Sequence, residues 1–277
     1  MLRAINVTST VSPTPDRRCV LMVPTREAPR AIRELTEYEN ENRERRKPGA
    51  TKDTPLYRHS FWAVATVLSL VLFYSITGPI AQNSIWFRQG VADSDAIMSG
   101  AIYQAATALT LHSTSKHLVG NVAIGGVLFA MTHRRLGPGL GSVAVLLAGV
   151  AGNLMNAAWH GTSHRSLGAS TAVMGAVGIL AMSQMILNRA RRPSAKAVVT
   201  WAPLVTGGAL LGVFGASPGS DLHAHGFGFL AGVIIGAMAA YPLRHRVAPL
   251  PAWFNFVFGI AAAAIVAASW LFALYRH

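Results

Sequence analysis

Acidic residues are nearly missing from most of this 277-residue sequence. Of eleven, eight lie at or before Asp53, and only Asp93, Asp95 and Asp221 follow. A stretch of that length with three carboxylates, rich in Ala, Gly, Leu and Val, is expected to be an integral membrane domain. Cysteine is almost absent too. Cys19 stands alone, so no intramolecular disulfide is possible, and no Cys–His spacing resembles a zinc finger. There is no HExxH motif and no intramembrane pair of aspartates, which argues against zinc and aspartyl chemistry in the bilayer. Paired broken helices in matching halves, the mark of many transporters, are not seen. No apolar run follows the first few charges, so a cleaved signal peptide is not expected. The net charge of +13 would suit a nucleic-acid partner, but the Lys and Arg residues of the apolar part sit mostly in short loops, where they act as topology signals.

What is present is a chain 52% hydrophobic. Residues 1–57 read as a small polar region and linker. A short strand is expected within Arg17–Val23. A charged helix is expected over Arg26–Lys47, broken near Pro29, with Ile32, Leu35 and Tyr38 as a narrow apolar stripe. Residues 47–55, rich in Pro and Gly, read as linker. Seven apolar stretches follow at about 60–78, 117–132, 139–158, 167–188, 197–215, 222–242 and 253–275, each near the length that crosses ~30 Å of hydrocarbon. The organisation expected is 1–57 as the polar region, 58–242 as a six-helix membrane domain, and 243–277 as an additional transmembrane helix and tail. The long connection near 79–116 contains Trp86 and Tyr103, which suit an interface. Arg134, Arg135, Arg189, Arg191, Arg192, Lys196, Arg244 and Arg246 follow the second, fourth and sixth spans. The positive-inside rule therefore puts the N-terminus in the cytoplasm and starts those three spans at the outer face.

Unusual polar residues recur at that outer level. His117 and Asn121 lie within HLVGN, Ser170 within LGASTAVMG, and His225 within HAHGFGFLAG. Hydrogen-bonding groups inside a bilayer are costly, so they point to a site. Ser, His and two further donors are the components of acyl transfer: nucleophile, base and oxyanion stabilisers. Each residue alone also has a structural reading. Ser170, beside Gly168 and Ala169, fits close helix packing. His225 fits a hydrogen bond in the bundle. Gly228, Gly232 and Gly236, four apart, line a face where another helix approaches. His117 and Asn121, four apart on one face, also suit interhelical bonding. Asp221 precedes His225 by four and is a candidate to orient it, although a place at the water interface suits it better. His223 at i−2 points off the glycine face. His112 is expected where the chain returns to the membrane. His160 and His164 stand at metal-ligand spacing, yet a hydrogen-bonding or pH-sensitive role in an outer loop fits them better.

Taken together and in order, these segments resemble the rhomboid family of intramembrane serine proteases over about residues 56–242. TALTLHSTSKHLVGN (107–121) is similar to the family's second-helix His-x-x-x-Asn. Residues 146–178 are similar to its third helix, connecting loop and Gly-x-Ser-Gly motif. AHGFGFLAGVIIG (224–236) is similar to its sixth helix, His-x-x-Gly-x-x-x-Gly. The resemblance implies an all-α membrane protein, a rhomboid-like bundle of six transmembrane helices plus one C-terminal helix. It implies Ser170 as nucleophile, His225 as general base, and His117, Asn121 and the Ser170 backbone N–H as oxyanion donors. Gly168, Gly228 and Gly232 fall on motif glycines. Three departures from the family pattern stand out. Thr171 stands where Gly usually follows the nucleophile, Tyr103-Gln104 where Trp-Arg is usual, and Met174 where an aromatic is usual.

The activity implied is hydrolysis of peptide bonds in or near transmembrane segments by a Ser-His dyad. No metal or other cofactor is required. Transmembrane protein substrates and membrane lipids are the expected partners, without nucleic acid. The expected location is the bacterial inner membrane with the site toward the outer face. The alternative is a non-catalytic relative that binds or traffics membrane clients. Whether the seventh span packs on the bundle or lies beside it is open at this level.

Overall fold

The computed structural model describes residues 7–13, 19–46, 57, 61–191, 195–215, 220–244 and 248–275. Two compact units divide the chain, Met1–Thr51 and Lys52–His277. The linker expected at 47–55 and the cations Arg192 and Arg246 lie outside the described residues.

In the first unit β1 (Thr10–Pro13) pairs antiparallel with β2 (Cys19–Met22), with Thr10 opposite Met22 and Pro13 opposite Cys19. The strand expected near Val20 is therefore half of a hairpin. A 3-10 turn at Thr25–Glu27 leads into α1 (Ala28–Arg46). Pro29 does not break this helix. It stands in the first turn, where its missing N–H has no intrahelical partner to lose. The buried face also differs from the expected stripe. Ala31 and Leu35 meet Val7 and Val23, whereas Ile32 and Tyr38 are exposed.

The second unit is helical. Its helices are α2 (Phe61–Thr77), α3 (Ile85–Gly90), α4 (Ser94–Met98), α5 (Gln104–Thr107), α6 (Ser115–Leu136), α7 (Pro138–His160), α8 (Ser170–Arg191), α9 (Ala197–Gly215), α10 (Leu222–Leu243) and α11 (Ala252–Tyr275). Two-residue strands β3 (Ala92–Asp93) and β4 (Arg165–Ser166) pair antiparallel. Among the described residues five segments, 61–82, 138–160, 170–191, 222–243 and 252–275, are long and apolar enough to cross a bilayer. Two of the seven expected spans fall outside that group. The apolar part of α9, Ala197–Val213, is shorter. α6 has the length, but Lys116, His117, Asn121, His133, Arg134 and Arg135 make it the least apolar of the seven. Outward-facing Val64, Leu68, Leu72, Val205, Ile234, Met238 and Ile260 give the exterior the apolar surface that lipid contact requires.

Helix boundaries follow their end residues. The Thr114 hydroxyl caps α6 by accepting from the His117 N–H at 3.1 Å. Asp221 caps α10 by accepting from the Ala224 N–H at 3.0 Å. Gly137 alone separates α6 from α7, which starts with Pro at its first position. Arg134, Arg135, Arg189 and Arg191 close the last turns of α6 and α8, where cations suit the helix dipole.

α8 is the most enclosed of the long apolar helices. Its own Ala176 and Ile179 are fully buried, as is its small partner Ala148 on α7. The seventh span packs firmly on the bundle. Asn255 of α11 accepts from the Gly139 N–H of α7 at 3.2 Å, and Gly139 has no room for a side chain against the Asn255 backbone. At the other end Trp270 donates from Nε1 to Thr110 Oγ1 at 3.1 Å. Trp86 and Tyr103 pack on this helix, through ring contacts with Trp270 at 5.1 Å and Phe272 at 5.2 Å.

Candidate active site

The geometry of α6, α8 and α10 is fixed by glycine. Side-chain atoms added at Gly228, Gly232 and Gly236 of α10 would run into the backbone of α8 at Thr171, Gly175 and Ile179 respectively. Each step of four on one helix matches a step of four on the other, so the two helices run parallel and in close contact. Val173 of α8 sits against Gly125 of α6, and Gly168 sits against His117 and Asn121, so α6 is parallel to α8 as well. The N-termini of the three helices therefore share one end of the bundle.

Ser170 is the first residue of α8 and is half-buried. His225 is buried on the first turn of α10. Ser170 precedes Thr171 by one and His225 precedes Gly228 by three. In this parallel register their Cα levels differ by two residues, about 3 Å along the axis. The register thus brings Ser170 and His225 within about 3 Å of one level on two helices in backbone contact.

Gly168 has φ +120°, which L side chains rarely adopt. A Cβ there would lie 2.6 Å from His117 Cε1 and 2.8 Å from its Nε2, with Asn121 Nδ2 at 3.6 Å. Glycine lets the backbone leading into Ser170 lie directly on the two α6 side chains. The His117 ring is held from its other side, with Nδ1 3.1 Å from the Ser113 hydroxyl. Asn121 is 9% exposed, and its Nδ2 is buried with no hydrogen-bond partner. An unpaired buried donor costs free energy. Its position beside Gly168 suits an acceptor that arrives with a ligand.

All three late carboxylates converge on the loop that precedes Ser170. Arg165 donates from Nε to Asp93 at 2.7 Å, the Ser163 N–H donates to Asp95 at 3.0 Å, and His164 Nε2 meets Asp221 Oδ2 at 2.7 Å. Asn156 of α7 also donates to Asp221 Oδ2 at 2.7 Å. Burial alone would raise the Asp221 carboxyl. The bonds from Ala224 N–H, His164, Ser166 and Asn156 outweigh it and hold the group below the usual carboxylate range. Asp93 is likewise held low: partial burial opposes it, but Arg165 and the backbone N–H groups win. Asp221 is thus engaged with α7 and the loop, a role different from orienting His225. His160 and His164 stack face to face at 3.7 Å, so the ligand-spaced pair braces the same loop. His223 is exposed and stacks on Trp159, off the glycine face as expected.

The three departures from the family pattern have physical settings here. Thr171 is 2% exposed, and its methyl fits between Gly152 of α7 and Gly228 of α10. Gln104 is buried, accepting from the Asp93 N–H at 3.2 Å and donating to the Gln89 carbonyl at 3.3 Å, so it anchors the long first loop. Met174 is buried on α8. Sequence reasoning missed Asn153 and Asn156. The signal was available, since two amides three apart in an apolar helix share a face, and Asn153 donates to the Ala105 carbonyl at 2.9 Å. His112 is fully buried, edge-on to His117 at 5.3 Å.

An all-α integral membrane protein, with small-residue helix contacts and a polar cluster at one end of three parallel helices, is the class defined so far. Within that class, the rhomboid domain model matches residues 99–242, just over half of the chain, and the protein belongs to the rhomboid family. No curated protein matches the chain.

Proposed function

We propose that this protein is a serine endopeptidase that hydrolyses peptide bonds in or near transmembrane segments of other membrane proteins. The observation that supports it best is the unpaired Asn121 amide, held with His117 against Gly168, two residues before Ser170. In this reading the Ser170 hydroxyl attacks the scissile carbonyl and His225 takes its proton. The tetrahedral oxyanion is held by Asn121 Nδ2, His117 and the Ser170 N–H. His225 then protonates the leaving amine, and water hydrolyses the acyl-enzyme. Because an intact helix hides its carbonyls in intrahelical bonds, the substrate segment needs helix-weakening residues near the cleaved bond. Arg134, Arg135, Arg189, Arg191 and Arg244 lie at the ends of α6, α8 and α10 opposite Ser170. They favour a cytoplasmic N-terminus with the site toward the outer face of a bacterial inner membrane.

The test is labelling by a fluorophosphonate probe in membranes. Adduct at Ser170 is expected, lost in both Ser170→Ala and His225→Ala while thermal stability holds. A folded wild-type protein that takes no label at Ser170 would return the chain to the non-catalytic members of its family.

A further inference from the structure

The family match ends at residue 242, before α11 (Ala252–Tyr275) begins. Nothing in the proposed chemistry uses that helix. Its C-terminal half is nevertheless seated against the two segments that shape the pocket around Gly168.

The contacts converge on Trp270, which is 7% exposed. Its ring lies on Gly90, the last residue of α3, where a side chain has no room. Thr107 Oγ1 donates to the Gly90 carbonyl at 2.8 Å, which ties the floor of this seat to α5. The indole N–H is a donor only, and burying it without an acceptor is costly. Its acceptor is Thr110 Oγ1 at 3.1 Å. The Thr110 hydroxyl has a lone pair to offer because its own hydrogen goes to the Thr107 carbonyl at 2.7 Å. Ring and bond together fix the 3-10 turn Ala108–Thr110 relative to α11.

That turn leads to the site in two directions. The Ala108 carbonyl accepts from the Gly168 N–H at 2.9 Å. Gly168 is the glycine laid on His117 and Asn121. In the other direction Leu111 is fully buried in one apolar cluster with Phe87, Trp270 and Ala273, and Leu167 packs against that cluster. Leu167 is the residue before Gly168, and Leu111 stands three residues before Thr114, the cap of α6. Trp270 thus bears on both walls of the pocket, the backbone entering Ser170 and the chain entering α6. One neutral hydrogen bond adds little to net stability. A misplacement of about 1 Å at a reacting centre, by contrast, costs on the order of 100-fold in rate.

We propose that Trp270 is a positioning residue: held by Gly90 and Thr110, it sets how Gly168 lies on His117 and Asn121, and so the geometry in which the oxyanion is held. The inference rests on the reading of Ser170 as nucleophile and assigns the C-terminal helix a part in that site.

The test follows the rate at which a fluorophosphonate probe labels Ser170 in proteoliposomes of the full chain, beside Tm and hydrogen exchange of the Gly168 N–H. Trp270→Phe keeps a ring on Gly90 without the N–H, and Thr110→Val keeps the shape without the acceptor. Each should lower the maximal labelling rate about 10- to 100-fold, with the half-saturating probe concentration and Tm little changed. The double variant should be no slower than either single one, because both remove the same bond. Thr110→Ser, which keeps the acceptor, should retain the wild-type rate. The Gly168 N–H should exchange faster in Trp270→Phe. Asn255→Ala, which frees the other end of α11 from Gly139, should lower Tm and leave the labelling rate unchanged. A labelled wild type beside Trp270→Phe at the same rate, or an unmoved Gly168 N–H, would overturn this inference alone. An equal loss of rate in Asn255→Ala would also overturn it, by making α11 a general support. A folded wild type that takes no label would overturn the proposed function and this inference with it.

Discussion

Replacing Asn121 with alanine should cut activity while leaving stability unchanged or slightly higher. In the resting protein Asn121 Nδ2 is buried and unpartnered. Such an orphan costs about 1–3 kcal/mol, and truncation removes that cost. Alanine also favours the helix by up to about 0.7 kcal/mol. Against these stands the packing lost with the amide. The balance is neutral to slightly stabilising, and each kcal/mol corresponds to roughly 2–4 °C in Tm for a domain of this size. In the transition state the amide would hold the oxyanion, and losing one such donor costs about 2.7–4 kcal/mol, or 10²–10³ in kcat. The assay is cleavage of a transmembrane substrate in proteoliposomes, with kcat and KM separated, beside thermal unfolding in the same lipid. The expected result is kcat down at least about 100-fold, KM little changed, and Tm equal or higher. A large fall in Tm would mean that Asn121 is a structural tie. An unchanged kcat would remove it from the chemistry.

Gly228→Ala should press its methyl onto the Thr171 carbonyl and force α8 from α10, costing about 1–3 kcal/mol and nearly all activity. Gly226→Ala, on the same helix with open space around it, should change neither Tm nor turnover. Because Asp221 is held below its ordinary range, its contribution to stability is complete above about pH 4 and lost as pH falls through the folded value. Asp221→Asn should therefore lower Tm at pH 6, with a gap to wild type that narrows steadily below pH 4 in a Tm-versus-pH series. Trp270→Ala removes the bond to Thr110 and the rings against Phe73 and Trp86, and should cost about 3–5 kcal/mol in denaturant unfolding.

Periodicity and length made the helices legible, because an apolar run long enough to cross the bilayer has few other forms. The polar set at one depth was legible for a related reason. His117, Asn121, Ser170 and His225 are conspicuous against apolar neighbours, and topology alone puts them at one end. Tertiary partners were not. Thr171 read only as a departure from the family's glycine, since nothing in its own segment indicates that Gly152 and Gly228 leave a seat for its methyl. Asp221 read as a possible support for His225 because sequence distance was the only measure at hand. Its bonds run to Asn156 and His164, far away in the chain. Ile32 and Tyr38 read with Leu35 as a narrow apolar stripe by spacing, but the small hairpin offers only enough surface to cover Ala31 and Leu35.

The straps on the 163–166 loop also set an order of assembly. Asp93 and Asp95 are made before the loop, but Asp221 is made after it, at the cap of α10. A nascent chain that has inserted only as far as α9 carries the Ser170 hydroxyl on a loop tethered from one side. Arrival of α10 delivers the second tether, the glycine face and His225 in a single step. On the proposed function, competence is therefore withheld until the bundle is closed, and a partly translated chain does not present a finished catalyst to its neighbours in the membrane.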